Sequence, residues 1–179
     1  MEAKKRNIGV LYGWIAGLFM VLFSAALYKG GLNLYLSWVA RLSYVVMIGL
    51  AVMATLKLRK TNGGWLDFQE ALKTAFTVMA LALAAHTFFT WVLLNFIDPH
   101  FKTILAQAVF EKTEELIREM HLSNDVMERT LADERMKDEF TFGRMSMGYA
   151  VSCIVYFMVA LVIALIVRKK KNGTQEAGS

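Results

Sequence analysis

Arg41, His86, Asn95 and Asp98 stand in stretches of sequence that are otherwise almost wholly apolar. Ionisable groups in such surroundings are costly, and a chain that keeps them has a use for them. Arg41 cannot be deprotonated, so it must either reach water along its own stem or meet an anion. Asp98 is the candidate anion. His86 has Thr87 and Thr90 beside it and titrates near neutrality, which suits a proton relay. The other reading is a neutral imidazole hydrogen-bonded between helices, and it is favoured because the apolar stretches hold no second carboxylate to receive a proton. The three histidines, His86, His100 and His121, include no pair at metal-ligand spacing, and the many carboxylates fit no calcium-loop pattern. Cys153 and the serines have no base at a recognisable spacing. The expectation is a chain with no catalytic, metal or cofactor site, and not an enzyme.

The elements that must position these residues follow from the apolar pattern. The chain has 179 residues, 56% of them hydrophobic, and a mean hydropathy of +0.43. The apolar residues form four blocks at 8–28, 36–56, 72–97 and 147–167, with all charge but Arg41 and Lys73 in the gaps. A hydrocarbon core about 30 Å thick needs about 20 apolar helical residues, and each block is long enough. The fold class is therefore all-α: an integral membrane four-helix bundle, with an external helical hairpin at 98–146 between the third and fourth spans. The first block has a basic start and small residues at Ser24, Ala25 and Ala26, as a cleaved signal peptide would. Its length and its spaced glycines identify it instead as a span.

The net charge of +5 reflects topology rather than nucleic-acid binding. Lys4, Lys5, Arg6, Lys57, Arg59, Lys60 and residues 168–171 place ten basic residues in short segments on one side. The other side holds Lys29 and a long segment in which eleven acidic residues outnumber seven basic ones. By the positive-inside rule both termini are cytoplasmic.

Gly9, Gly13 and Gly17 recur every four residues and line one face of the first span, where a second helix can come close. Ala160 and Ala164 repeat the pattern weakly in the fourth. The face serves packing within one bundle, or else a homodimer. Ala16, off the stripe, is expected to tolerate a larger side chain. Asp67 is placed to cap the third helix, with Glu70 completing a capping box, and Trp65 and Phe68 suit an interfacial aromatic belt. In the external segment Leu105, Val109, Leu116 and Met120 share a face of a helix from about residue 103. A second helix is expected after Ser123, with Val126, Met127, Leu131 and Met136 as its apolar stripe.

The run Gly63-Gly64-Trp65-Leu66-Asp67-Phe68-Gln69-Glu70-Ala71-Leu72-Lys73-Thr74-Ala75-Phe76 resembles the loop-to-helix signature of a bacterial membrane family, domain of unknown function 4199. Asn95-Phe96-Ile97-Asp98-Pro99-His100-Phe101 is similar to that family's second signature, an Asp-Pro step closing the third helix. The resemblance implies a four-helix inner-membrane protein and brings no activity, substrate or cofactor. Asp98-Pro99 either ends the helix for geometric reasons or places the aspartate at an interfacial site. The favoured function is a non-enzymatic accessory protein, embedded in the lipid bilayer, whose external segment engages an envelope protein or the outer leaflet. The alternative is a small oligomeric transporter or channel subunit using Arg41, His86 and Asn95.

Overall fold

The computed structural model describes residues 8–119, 138 and 140–169. The expected second helix of the external segment, the basic residues 4–6 and Lys170 and Lys171 lie outside these residues. Within them the chain is helical. Helix α1 is Ile8–Lys29, α2 a single turn at Leu32–Tyr35, and α3 Trp38–Thr61. Helix α4, Phe68–Val92, runs on into a π-helical turn at Leu93–Ile97; α5 is Pro99–Glu119 and α6 Phe142–Val167. Helices α1, α3, α4 with its π turn, and α6 are each long and apolar enough to cross a membrane, and the protein is a multi-pass membrane protein.

Several helix limits lie outside the blocks that signalled them. Helix α3 runs to Thr61, α4 starts at Phe68, α6 at Phe142 and α5 at Pro99. Hydropathy marks where hydrocarbon ends, whereas a helix continues through the headgroup layer for as long as its hydrogen bonds can close. Arg59 and Lys60 lie in the last turn of α3, where cations suit the negative end of the helix dipole. Gly63 and Gly64 then stop the helix, with φ of 74° and 90°. That left-handed conformation lets their amides bond back to Lys60 O at 3.2 Å and Arg59 O at 3.0 Å.

Asp67 caps α4 through Oδ2, which accepts from Gln69 N at 3.2 Å. The expected capping box differs at its other half: Glu70 Oε2 accepts from Asn62 Nδ2 at 2.9 Å and ties the preceding loop to the helix instead. Pro99 stands at the first position of α5, where its missing N–H costs nothing. Asp98 caps that helix, its Oδ1 accepting from Phe101 N at 2.9 Å.

The chain forms two compact units, one of residues up to His86 together with those from Tyr149 on, the other Thr87–Gly148. The first unit is packed around Met20, Met47, Val78, Met79 and a set of alanines that includes Ala16, Ala51, Ala82, Ala160 and Ala164, all fully buried. Its periphery is greasier than its centre: Trp14, Leu18, Ile154 and Ile166 are all more than half exposed and face lipid.

The glycine stripe packs within the chain, against α4. A Cβ placed on Gly9 would lie 3.4 Å from Thr74 O, one on Gly13 3.0 Å from Leu81 Cβ, and one on Gly17 3.0 Å from Ala85 Cβ. Ala16, expected to tolerate a larger side chain, is fully buried. Its burial follows from the width of the packed face, which takes in Ala16 and Met20 as well as the stripe. We expect Gly13→Leu or Gly17→Leu to lower stability by about 1–3 kcal/mol through overpacking. Trp14→Leu, on the lipid face, should change it by less than about 0.5 kcal/mol. Thermal unfolding in detergent measures both, and equal losses would contradict the packing.

Candidate functional site

The second unit concentrates its polar contacts where α4 ends. The π turn is closed by Asp98 N bonding Leu93 O at 2.8 Å, five residues back. Such single π turns shift the phase of a helix and recur at functional sites. Asn95 lies on this turn. Its Nδ2 donates to Trp91 O and to Phe140 O, each at 3.0 Å, and its Oδ1 accepts from Lys102 Nζ at 3.1 Å. Lys102 also donates to Asp138 Oδ2 at 2.6 Å. The hydrogen bond from Lys102 holds the Asp138 carboxyl below the ordinary carboxylate value. Asp138 in turn accepts from Phe140 N through Oδ1, at 3.0 Å. Apolar contacts back the polar ones: Phe101 and Leu105 of α5 are buried, and Trp91 meets Phe96 and Phe142 edge to face at centroid separations of 5.0 and 5.3 Å. The result is a clamp that fixes the first turns of α5 to the end of α4 and the start of α6.

A second polar group lies inside the first unit. His86 Nε2 is 2.9 Å from Ser24 Oγ, which links α4 to α1 across the same face that carries the glycines. The Tyr44 ring meets the imidazole at 71° with centroids 6.2 Å apart, and Tyr156 stacks on Tyr44 at 6.1 Å. All four spans therefore contribute one residue: Ser24, Tyr44, His86 and Tyr156. Sequence reasoning singled out only His86. The one signal for the others is that serine and tyrosine are the polar side chains an apolar helix tolerates without an ionic partner. The arrangement agrees with an imidazole hydrogen-bonded between helices.

Arg41 is in the first turn of α3, three residues past Trp38, and its side chain is exposed. At this shallow position it suits a side chain that reaches the headgroups. It belongs to the first unit and Asp98 to the second, and the Asp98 carboxylate serves the start of α5. Among the described residues no group of three or more His, Cys, Asp and Glu could hold a metal ion.

The Lys102–Asp138 contact makes a pH-dependent contribution whose sign is fixed. Because folding lowers the Asp138 pKa, the contribution is complete above the ordinary carboxylate range and is lost as pH falls through the lowered value. A double-mutant cycle of Lys102→Met and Asp138→Asn should give a coupling of about 0.5–1 kcal/mol at neutral pH, as for a partly solvated pair. The coupling should vanish in acid. A coupling of the same size at both pH values would contradict the ion pair.

No curated protein and no solved structure matches the chain significantly. Residues 11–169 match the family described as Protein of unknown function (DUF4199). That stretch contains three spans whole and α1 from its fourth residue on, with the Gly63-Gly64 turn and the Asp98-Pro99 step, and the protein belongs to this family.

Proposed function

We propose that the protein is a non-enzymatic accessory protein of a bacterial inner membrane, with cytoplasmic termini, whose external helical segment engages another envelope protein. The observation that carries this reading is the base of α5. Its first turns are fastened by buried Phe101 and Leu105 and by the Lys102–Asp138 contact, whereas Glu111, Lys112, Glu115, Arg118 and Glu119 further along are exposed. A helix of this length extends about 30 Å, so its charged surface lies well away from its anchor. Of its charges, Arg118 and Glu114 pair on the helix itself at 2.7 Å, and the mixed signs of the rest suit a partner with a complementary pattern.

The alternative, a transport pathway through Arg41, His86 and Asn95, is less well supported. Both amide atoms of Asn95 are engaged by structural partners, and His86 is engaged by Ser24. A passing solute would have to displace those bonds.

The test uses a Cys153→Ser background with a single cysteine at Glu115. In intact cells a membrane-impermeant maleimide should label it, and a cytoplasmic position would overturn the topology. A photo-crosslinker on the same cysteine should then give one discrete protein adduct in native membranes. Lys112→Glu with Arg118→Glu should abolish the adduct while membrane insertion is retained. Adducts only between copies of this chain would favour the oligomeric alternative.

A further inference from the structure

The end of the first unit that carries the turn between α3 and α4 gathers basic residues from distant parts of the chain. Leu66 and Lys169 exchange two antiparallel backbone hydrogen bonds, Leu66 N to Lys169 O at 2.9 Å and Lys169 N to Leu66 O at 3.0 Å. The chain leaving α6 is thereby fixed to the loop ahead of α4. Arg59 reinforces the junction: its Nε donates to Gly64 O at 3.1 Å and its Nη1 to Val167 O at 3.5 Å, at the negative end of the α6 dipole. Lys57 is held with its ammonium 5.5 Å from the centre of the Tyr12 ring. Lys60, Arg168 and Lys169 are exposed around this junction, as is the indole of Trp65. The acidic residues nearest in sequence are Asp67 and Glu70, which cap α4 and bind Asn62 respectively.

A floppy basic tail would give diffuse attraction to any anionic surface. Here the backbone bridge fixes where Arg168 and Lys169 sit relative to the loop, and an interfacial tryptophan stands beside them. Both features suit a phosphodiester at headgroup depth, since cations close to an anionic leaflet each gain on the order of 1 kcal/mol and indoles favour that layer. We propose that this junction is a binding site for an anionic phospholipid headgroup, with Lys60, Arg168 and Lys169 contacting the phosphate and Trp65 lying along the glycerol region. Arg59 holds the junction together and is not the recognition element. The site needs only that the protein spans a bilayer; it depends neither on which face is cytoplasmic nor on the partner of α5.

The full chain is reconstituted in nanodiscs of one part phosphatidylglycerol to three parts phosphatidylcholine, then released, and its retained lipid is quantified by native mass spectrometry. The wild type should retain phosphatidylglycerol well above its share of the mixture, and excess inorganic phosphate should not displace it. The triple variant Lys60→Gln, Arg168→Gln, Lys169→Gln should lose at least about tenfold of that preference, given the general size of the effect per cation. Lys112→Gln with Arg118→Gln, which removes charge from α5 instead, should leave it unchanged. Melting of each variant in phosphatidylcholine alone checks that it is folded. No enrichment in the wild type, displacement by phosphate, retention by the folded triple variant, or equal loss in the α5 variant would each overturn the site.

Discussion

Helices in hydrocarbon gain nothing by hiding apolar surface from one another, because lipid tails are as apolar as leucine. What holds them is close packing and the satisfaction of polar groups that lipid cannot satisfy. The contact between α1 and α4 supplies both. Gly9, Gly13 and Gly17 let the two backbones approach until a missing Cβ is all that separates them from Thr74, Leu81 and Ala85. Seven residues past Gly17, and so on the same face, Ser24 meets His86, the neighbour of Ala85. The stripe and the hydrogen bond are one device, since a wider separation at Gly17 would carry the hydroxyl out of reach of the imidazole.

Other polar groups within the spans are resolved more locally. Thr55 and Ser43 return their hydroxyls to Ala51 O and Ala40 O of their own helix, at 2.7 and 2.8 Å. Tyr149 reaches across to Ala80 O at 3.3 Å. At the helix ends, where water is near, charge takes over. Asn95, Lys102 and Asp138 secure α5, and Arg59 with the Leu66–Lys169 bridge secures the end of α6. Among the described residues these polar groups act as fasteners.

The spans were legible because a long apolar run with at most one charge fits a bilayer and little else. Their ends were not, because hydropathy marks the hydrocarbon boundary while the hydrogen-bond ladder runs on through Lys57 to Thr61 and back to Phe142. The glycine face was legible from its spacing, but Ala16 was misjudged because nothing in sequence gives the width of the buried face. Asp67 was recognisable as a cap from its position alone. Glu70 was not, since Asn62 competes for it from the other side of a turn whose shape depends on two positive-φ glycines. Asn95 and Asp98 stood out as polar residues beside an apolar stretch, yet their partners were invisible. Lys102 and Asp138 are 36 residues apart, and no local pattern pairs them. Ser24 stood out only as a small residue, and Tyr44 and Tyr156 escaped notice, because single serines and tyrosines are ordinary in apolar helices.

The central claim is that the glycine face of α1 packs on α4 within one chain, and a disulfide tests it most directly. A Cβ on Gly9 lies 3.5 Å from Thr77 Cβ, within the roughly 3.5–4.5 Å that a disulfide spans. Gly9→Cys and Thr77→Cys in a Cys153→Ser background should therefore oxidise in native membranes to an intrachain bridge, seen as joined peptides by mass spectrometry from a monomeric band. A bridge between two copies of the chain would assign the glycine face to a dimer. No bridge under oxidising conditions would mean that α1 and α4 do not meet there at all.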